Sequence, residues 1–136
     1  MIEITAEPID TQKIITSASK QHAGAVNVFI GTVRNVSSGK NVVRLEYEAY
    51  EPMAISEIKK IFEAASLKWN LLGWAFSHRT GVLKPGEPAV VVAIATTHRK
   101  ASLEATAFVM DELKTKVPIW KKEVHDDGAE WVSAHP

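Results

Sequence analysis

The sequence predicts an α+β fold with a mostly antiparallel sheet and about three helices. Residues 43–50 alternate between apolar side chains and mostly charged ones, which is the period of a half-buried strand. Residues 55–69 carry apolar side chains three and four positions apart, as in an amphipathic helix. Residues 89–96 are almost continuously apolar, as in a central strand covered on both faces. Together these patterns predict helices and strands packed in one mixed architecture.

The first third of the chain is predicted to contain a strand-forming start, a helix and a strand. Asp10 is predicted to N-cap a helix that carries Ile14 and ends near Gly24. Residues 25–33 have the composition of a strand, and residues 34–40 are predicted to form a polar loop with a turn-favouring Ser-Gly pair.

The later elements are predicted from turn residues and periodicity. They are a strand at 74–79, a Pro-Gly turn at 84–88, a helix at about 100–116 and a hairpin with strands at 120–124 and 129–132. Pro52 suits the first turn of the helix over 55–69, and Pro118 ends the last helix. That last helix is predicted to bury one apolar stripe: Leu103, Ala107, Met110, Leu113 and Val117. No repeat or linker-like segment interrupts residues 1–136, so we predict one domain.

The composition limits the classes of protein that the chain can represent. The chain has 136 residues, no cysteine and a formal net charge of zero. The lack of cysteine excludes disulfides, thiolate metal sites and a cysteine nucleophile, and the neutral charge argues against general attraction to nucleic acid. No apolar run approaches the roughly 20 residues that cross a bilayer, and the first residues lack the pattern of a secretory signal. We therefore expect a cytoplasmic protein that binds neither membrane nor nucleic acid.

Cationic side chains are concentrated late in the chain. Residues 98–122 hold six cations against three acids: Arg99, Lys100, Lys114, Lys116, Lys121 and Lys122 against Glu104, Asp111 and Glu112. Crowded ammonium groups disfavour one another's charge, which lowers the pKa of a lysine and makes its amine a usable nucleophile or proton carrier. A solvated basic face would produce the same local excess, so both interpretations stay open.

The positions of these cations favour a pocket for an anion. Lys114 lies at the end of the predicted last helix, where attraction to the negative helix end would also explain it. Lys121 and Lys122 are neighbours on a predicted strand, so only one of them can point into a given pocket. His98 and Arg99 lie where a strand passes into a helix, and backbone N–H groups at such a junction can bind an anion.

Arg34 follows another predicted strand, shortly after Gly31, where glycine permits close approach by a ligand. A routine loop arginine beside a bulge would look the same. The five histidines are scattered, and no cluster of His, Asp and Glu has the spacing of metal ligands, so we assign no metal and no cofactor. The residues alone support a basic pocket for a small anion, with one or two lysines as candidate catalysts, and they do not name a reaction.

Four motifs occur in order along the chain. They are FIGTVRN at 29–35, LEYEAY at 45–50 followed by Met53, Thr-His-Arg at 97–99, and FVMDELKTKVPIWKKE at 108–123. Together they closely resemble the large, catalytic subunits of molybdopterin synthase, over roughly residues 2–135. The resemblance implies a domain of the α/β hammerhead type.

The same resemblance implies a sulfur transfer in molybdenum cofactor synthesis. Enzymes of this family convert cyclic pyranopterin monophosphate into molybdopterin by adding two dithiolene sulfurs. The sulfur arrives as a thiocarboxylate on the C-terminal Gly-Gly end of a small ubiquitin-like subunit. Two large subunits pair as a homodimer and each binds one small subunit, which makes a heterotetramer.

The resemblance also implies roles for particular side chains. Lys114 and Lys121 would be the catalytic pair, one as amine nucleophile or proton donor and the other as general acid or base. The contacts to phosphate and pterin would come from Thr32, Val33, Arg34, His98, Arg99, Lys114, Lys121, Lys122 and Glu123. Phe29 and Met110 would line the pocket wall. His135 stands where the family often has an arginine that reaches into the neighbouring protomer's site, and histidine is only partly charged near neutral pH.

Two other functions compete with this enzyme. A non-catalytic module that senses an anionic metabolite would explain the cations equally well, although it would not explain so detailed a motif. A nucleic-acid binder is disfavoured by the neutral charge.

Overall fold

The structure, a computed structural model, describes residues 1–133 and the side chains of residues 1–128. This part of the chain contains three helices and nine strands. In chain order they are β1 (Ile2–Thr5), α1 (Thr11–Ala18), β2 (Ala25–Thr32), β3 (Val36–Ser37), β4 (Lys40–Ala49), α2 (Glu51–Trp69), β5 (Gly73–Arg79), β6 (Gly81–Leu83), β7 (Pro88–Thr96), α3 (Arg99–Lys116), β8 (Ile119–His125) and β9 (Gly128–Ser133). No helix in the described range combines the length and the apolar content needed to span a bilayer.

The first sheet has the strand order β1-β5-β7-β2, and its β1–β5 pair is parallel. Strand β7 is buried along residues 89–96 because helices cover both faces of the sheet. On one face Ile14 of α1 packs in a cluster with Val91 and Ala93. On the other face Val92 joins the core formed with α2 and α3. The prediction of a central strand buried on both sides is confirmed.

The second sheet has the order β3-β4-β8-β9, with β6 paired to β4, and its pairings are antiparallel. Leu45 and Tyr47 of β4 are buried, and they belong to the same hydrophobic core as α2, α3 and the first sheet. The prediction of an α+β fold with mostly antiparallel strands and three helices is confirmed. The assignment of residues 1–136 to a single domain stays a prediction.

The segment at 34–40, predicted as a loop, contains a short hairpin. Val36 lies opposite Asn41 and Ser37 lies opposite Lys40. Ser38 and Gly39 form the turn with φ values of 50° and 77°, and positive φ at both central residues is what a two-residue I′ turn requires. This hairpin matters for function because it places Ser37 over the site described below.

Two predicted apolar patterns differ from the structure. On β4 the register shifts between Val42 and Arg44, so Val42 is buried and Val43 is 49% exposed. A bulge of this kind displaces one residue from the strict alternation that the sequence displays.

The buried face of α3 is also rotated from the predicted stripe. It consists of Ser102, Ala105, Thr106, Val109 and Leu113, whereas Leu103 is 54% exposed. The two hydroxyls tolerate burial because each donates to a backbone carbonyl in its own helix. The hydroxyl of Thr106 also accepts a hydrogen bond of 2.8 Å from Asn27 on β2.

The first helix ends at Ala18, before the predicted end near Gly24. Ser19 has extended backbone angles, and its hydroxyl donates a hydrogen bond of 2.7 Å to the carbonyl of Ile15. This local bond competes with continuation of the helix.

Candidate functional site

A small cavity of about 80 Å³ lies where the end of β2, the β3–β4 hairpin and β8 meet. Its lining comes from four strands and one loop: Thr32, Arg34, Val36, Ser37, Val42, Leu45, Tyr47, Lys121 and Glu123. Four of the residues predicted to bind substrate, namely Thr32, Arg34, Lys121 and Glu123, are thereby brought together. Two cations and one carboxylate thus face a space that is otherwise walled by apolar and hydroxyl groups.

Lys121 reaches this cavity from the core-facing side of β8. Lys121 and Glu123 lie opposite Tyr47 and Leu45 of β4, and side chains two apart on a strand share a face. Lys122 lies opposite Glu46 on the other face and is absent from the cavity lining. The two lysines therefore face opposite sides of β8, as the strand geometry predicts, and Lys121 is the one that lines this cavity.

Glu123 is a buried carboxylate held by hydrogen bonds. Its side chain is 8% exposed, and its Oε1 lies 2.9 Å from Nε2 of His125. Burial acts to raise the pKa of Glu123, but hydrogen bonds from His125 and Ser37 and the positive charge of Lys121 outweigh it and hold the pKa below its ordinary value. The carboxylate is therefore a fixed negative charge beside the lysine.

Tyr47 contributes a hydroxyl that stays protonated. Burial, together with the negative charge of Glu123, raises the pKa of Tyr47 to about 12. Its ring meets the buried imidazole of His78 edge to face, with ring centroids 4.9 Å apart. Tyr47 can therefore donate a hydrogen bond to an anion in the cavity, and it cannot serve as a base near neutral pH.

The arginine of the cavity is placed by a neighbouring turn. Val33 is buried between Thr32 and Arg34, and its backbone both donates to the carbonyl of Glu87 at 3.0 Å and accepts from the N–H of Gly86 at 2.8 Å. The Glu87 carboxylate is in turn 2.6 Å from the Arg79 guanidinium. The ion pair between Arg79 and Glu87 stabilises the turn, and the backbone hydrogen bonds of the turn to Val33 fix the end of β2 next to Arg34.

His98 and Arg99 do not join this cavity within one chain. They line a separate hollow of about 660 Å³ with Gly24, Thr97 and Lys100. On the paired strands β2 and β7, Ala25 lies opposite Thr96 and Thr32 lies opposite Pro88. The seven-residue separation corresponds to roughly 23 Å at about 3.3 Å per residue, so the predicted substrate contacts divide between two ends of the first sheet.

The other predicted site residues that the structure describes do not line this cavity. Lys114 is exposed in the last turn of α3 and is absent from the cavity lining. Phe29 is 38% exposed on the edge strand β2, and Met110 is half-buried against the core. His135 lies outside the described residues. Within the described range no three His, Asp or Glu side chains converge as metal ligands would.

Sequence reasoning missed three polar residues of this region: Ser37 and Tyr47 line the cavity, and His125 lies behind it, bonded to Glu123. The signal for His125 was present, because Lys121, Glu123 and His125 recur with the period of two that places side chains on one face of a strand. Ser37 could not be found in this way because its position depends on the hairpin turn.

The fold and the cavity define a small α+β protein in which a lysine, an arginine and a buried carboxylate line one cavity. The family model described as MoaE protein matches residues 4–116. The molybdopterin synthase catalytic subunit of Bacillus subtilis is 49% identical over 130 residues, which are 96% of this chain and 83% of that protein. The human protein of the same name is 40% identical over 131 residues, which are 96% of this chain and 70% of that protein.

A solved structure agrees with these relatives. Molybdopterin synthase from Staphylococcus aureus has a TM-score of 0.92 and 37% identity, with 96% of each chain covered. The chain belongs to the MoaE family, the catalytic subunits of molybdopterin synthase. The predicted family, the enzyme class and the link to molybdenum cofactor synthesis are confirmed.

Proposed function

We propose that this chain transfers two sulfur atoms to cyclic pyranopterin monophosphate and so makes the dithiolene of molybdopterin. The sulfur donor is the C-terminal Gly-Gly thiocarboxylate of a small ubiquitin-like subunit. One observation carries the proposal: the Lys121 side chain lies on the core-facing side of β8, in a cavity with Arg34 and the carboxylate of Glu123. Such a site fits the catalytic subunit of this family.

The chain itself offers no sulfur nucleophile, because it contains no cysteine. The sulfur must therefore arrive activated on a partner. In each transfer a carbon–sulfur bond forms on the pterin as a carbon–oxygen bond at the same carbon breaks, and the released oxygen leaves as water or stays on the phosphate. A water oxygen replaces sulfur on the carrier, which leaves as a carboxylate. Two carriers, or two rounds of one, supply the two sulfurs. The relatives are named catalytic subunits, which is consistent with a second subunit in the enzyme.

The charged side chains are assigned separate roles in catalysis and in substrate binding. In this proposal Lys121 serves as amine nucleophile or proton donor, and Lys114 serves as general acid or base near the carrier's terminal carbonyl. Arg34 binds the substrate phosphate, for which a guanidinium is well suited. Glu123 is unsuited to contact phosphate, since two anions would repel each other. We therefore propose that Glu123 interacts with Lys121 and not with the phosphate.

The volumes of the cavity and of a neighbouring groove suggest where each part of the substrate binds. A cavity of about 80 Å³ is smaller than typical ligand pockets of roughly 300–1,000 Å³. An outer groove of about 610 Å³ shares Arg34 and Val36 with the cavity. We assign the body of the pterin to this groove and its reacting end to the cavity at Lys121.

His98 and Arg99 take part only if a second copy of the chain supplies them, because roughly 23 Å of strand separates them from the cavity in one chain. A homodimer within a heterotetramer would provide that second copy. His135 is a further candidate for a residue that contributes to the site of the neighbouring protomer. Mixing the Lys121→Ala and Arg99→Ala proteins tests this point. Mixed dimers that contain one intact shared site should recover part of the activity that each variant lacks.

The direct test combines the purified chain, thiocarboxylated small subunit and pyranopterin precursor, and identifies the product by mass spectrometry. Gain of two sulfurs on the pterin is expected, and Lys114→Ala should impair it severely. A protein that yields no such product and captures no Gly-Gly carrier, yet binds an unrelated anionic metabolite tightly, would instead be a sensor. The resemblance also supports a cytoplasmic location, which fractionation of cells expressing the tagged chain would test.

A further inference from the structure

The pair formed by Glu123 and His125 lies behind the cavity on β8. Both side chains are buried, at 8% and 3% exposure, and the imidazole Nε2 lies 2.9 Å from the carboxylate Oε1. Both residues share the core-facing side of the strand with Lys121, because the three alternate at a period of two. Glu123 lines the cavity, whereas His125 is absent from its lining.

The carboxylate is constrained from two directions. His125 donates from its own strand, and Ser37 donates from the β3–β4 hairpin across the cavity. A buried carboxylate with two such donors has little rotational freedom. Because Lys121 is two residues away on the same face, the carboxylate attracts its ammonium group from a fixed direction.

We propose that His125, together with Ser37, is a positioning residue for sulfur transfer: it holds the Glu123 carboxylate so that this carboxylate directs the Lys121 amine into the cavity. The inference rests on the proposed function. It assigns a role to His125 without any contact between the imidazole and the substrate. A merely structural pair would stabilise β8 without affecting the placement of the amine.

Three variants separate these two roles. His125→Phe removes the donor and keeps a planar ring of similar size. His125→Gln restores an N–H donor near the place of imidazole Nε2. Ser37→Ala removes the second donor. We expect His125→Phe to lower kcat about ten-fold, less than the roughly hundred-fold that a misplacement of 1 Å can cost, with little change in KM for the pterin. His125→Gln should recover most of that loss.

A second measurement does not depend on activity. Carbon NMR of the Glu123 carboxyl should show its pKa rising in His125→Phe, since the loss of the hydrogen bond leaves burial less opposed. His125→Gln should hold this pKa low.

The outcomes distinguish this inference from the proposed function. A wild-type protein that makes no dithiolene product contradicts the proposed function. An active wild type whose folded His125→Phe variant keeps its kcat overturns the positioning role, and so does a His125→Gln variant that is as slow as His125→Phe. If His125→Phe does not fold, Ser37→Ala decides, and an unchanged kcat in that variant overturns the proposal.

Discussion

Tyr47 and Lys121 are cross-strand neighbours on β4 and β8, and both line the same cavity. Burial keeps the tyrosine protonated, so the pair presents a hydroxyl donor and an amine to one small space. A strand face that covers a hydrophobic core seldom carries a lysine, because burying an ammonium group is costly unless it is compensated. Here the Glu123 carboxylate on the same face provides compensation.

The two adjacent lysines of β8 form a matched pair for mutagenesis. Lys121→Ala should lower the rate of product formation by at least about a hundred-fold, because it removes a group proposed to transfer protons or attack the carbonyl. Lys122→Ala removes the same charge from the opposite face and should cost far less. Single-turnover assays with saturating carrier provide the comparison, with thermal unfolding as the control for folding. Equal impairment of the two variants would contradict the placement of the site.

Tyr47 should titrate well above an ordinary tyrosine. The chain contains two tyrosines, so Tyr50→Phe leaves Tyr47 as the one reporter. Ultraviolet absorbance of tyrosinate should then rise with a midpoint at about pH 12, provided that circular dichroism shows a folded chain. Because the folded pKa is raised, this group stabilises the fold below about pH 10 and loses that contribution as the pH rises toward 12. A midpoint near the ordinary value would show that the ring is not buried as described.

His78 should remain neutral until the solution is distinctly acidic. Burial lowers its pKa to about 4, although the hydrogen bond of 2.8 Å between Nδ1 and the carbonyl of Arg79 opposes that shift. Because the folded pKa is depressed, its contribution is complete above about pH 6.5 and is lost as the pH falls toward 4. The full contribution is roughly 3 kcal/mol, at about 1.4 kcal/mol per pKa unit.

Histidine NMR titration checks this expectation, with the His78→Phe variant to assign the resonance. Urea unfolding between pH 7 and about 5 should show a loss of stability that the variant lacks. A His78 resonance that titrates near the ordinary histidine pKa would contradict the prediction.

Arg79→Leu should weaken the turn that supports Arg34. The variant removes the ion pair of 2.6 Å with Glu87, and Val33 is bonded to the backbone of that turn. We expect unfolding at lower urea concentration and a higher KM for the pterin phosphate, with a smaller change in kcat. Lys60→Ala is the control, since it removes an exposed ion pair with Glu57, and such pairs contribute about 0–1 kcal/mol. An unchanged KM in folded Arg79→Leu would show that this turn does not affect phosphate binding by Arg34.

Much of the architecture could be predicted because its signals are local. The alternation of β4, the apolar stripe of α2, the apolar run of β7 and the final hairpin each depend on residues close in sequence. The error in the buried face of α3 came from non-local packing. Leu103 was predicted to be buried from spacing alone, yet α3 turns Ser102 and Thr106 toward β2, where Asn27 bonds to one of the hydroxyls.

The amino-acid order alone established the family motifs and the rule that Lys121 and Lys122 face opposite ways. Side-chain direction along a strand follows from backbone geometry within a few residues. Only the folded chain decided that Lys121 faces the cavity, that Ser37 and His125 hold Glu123, and that Arg99 lies at the far end of the first sheet. Those facts depend on strand order and register, which are set by contacts between segments distant in sequence.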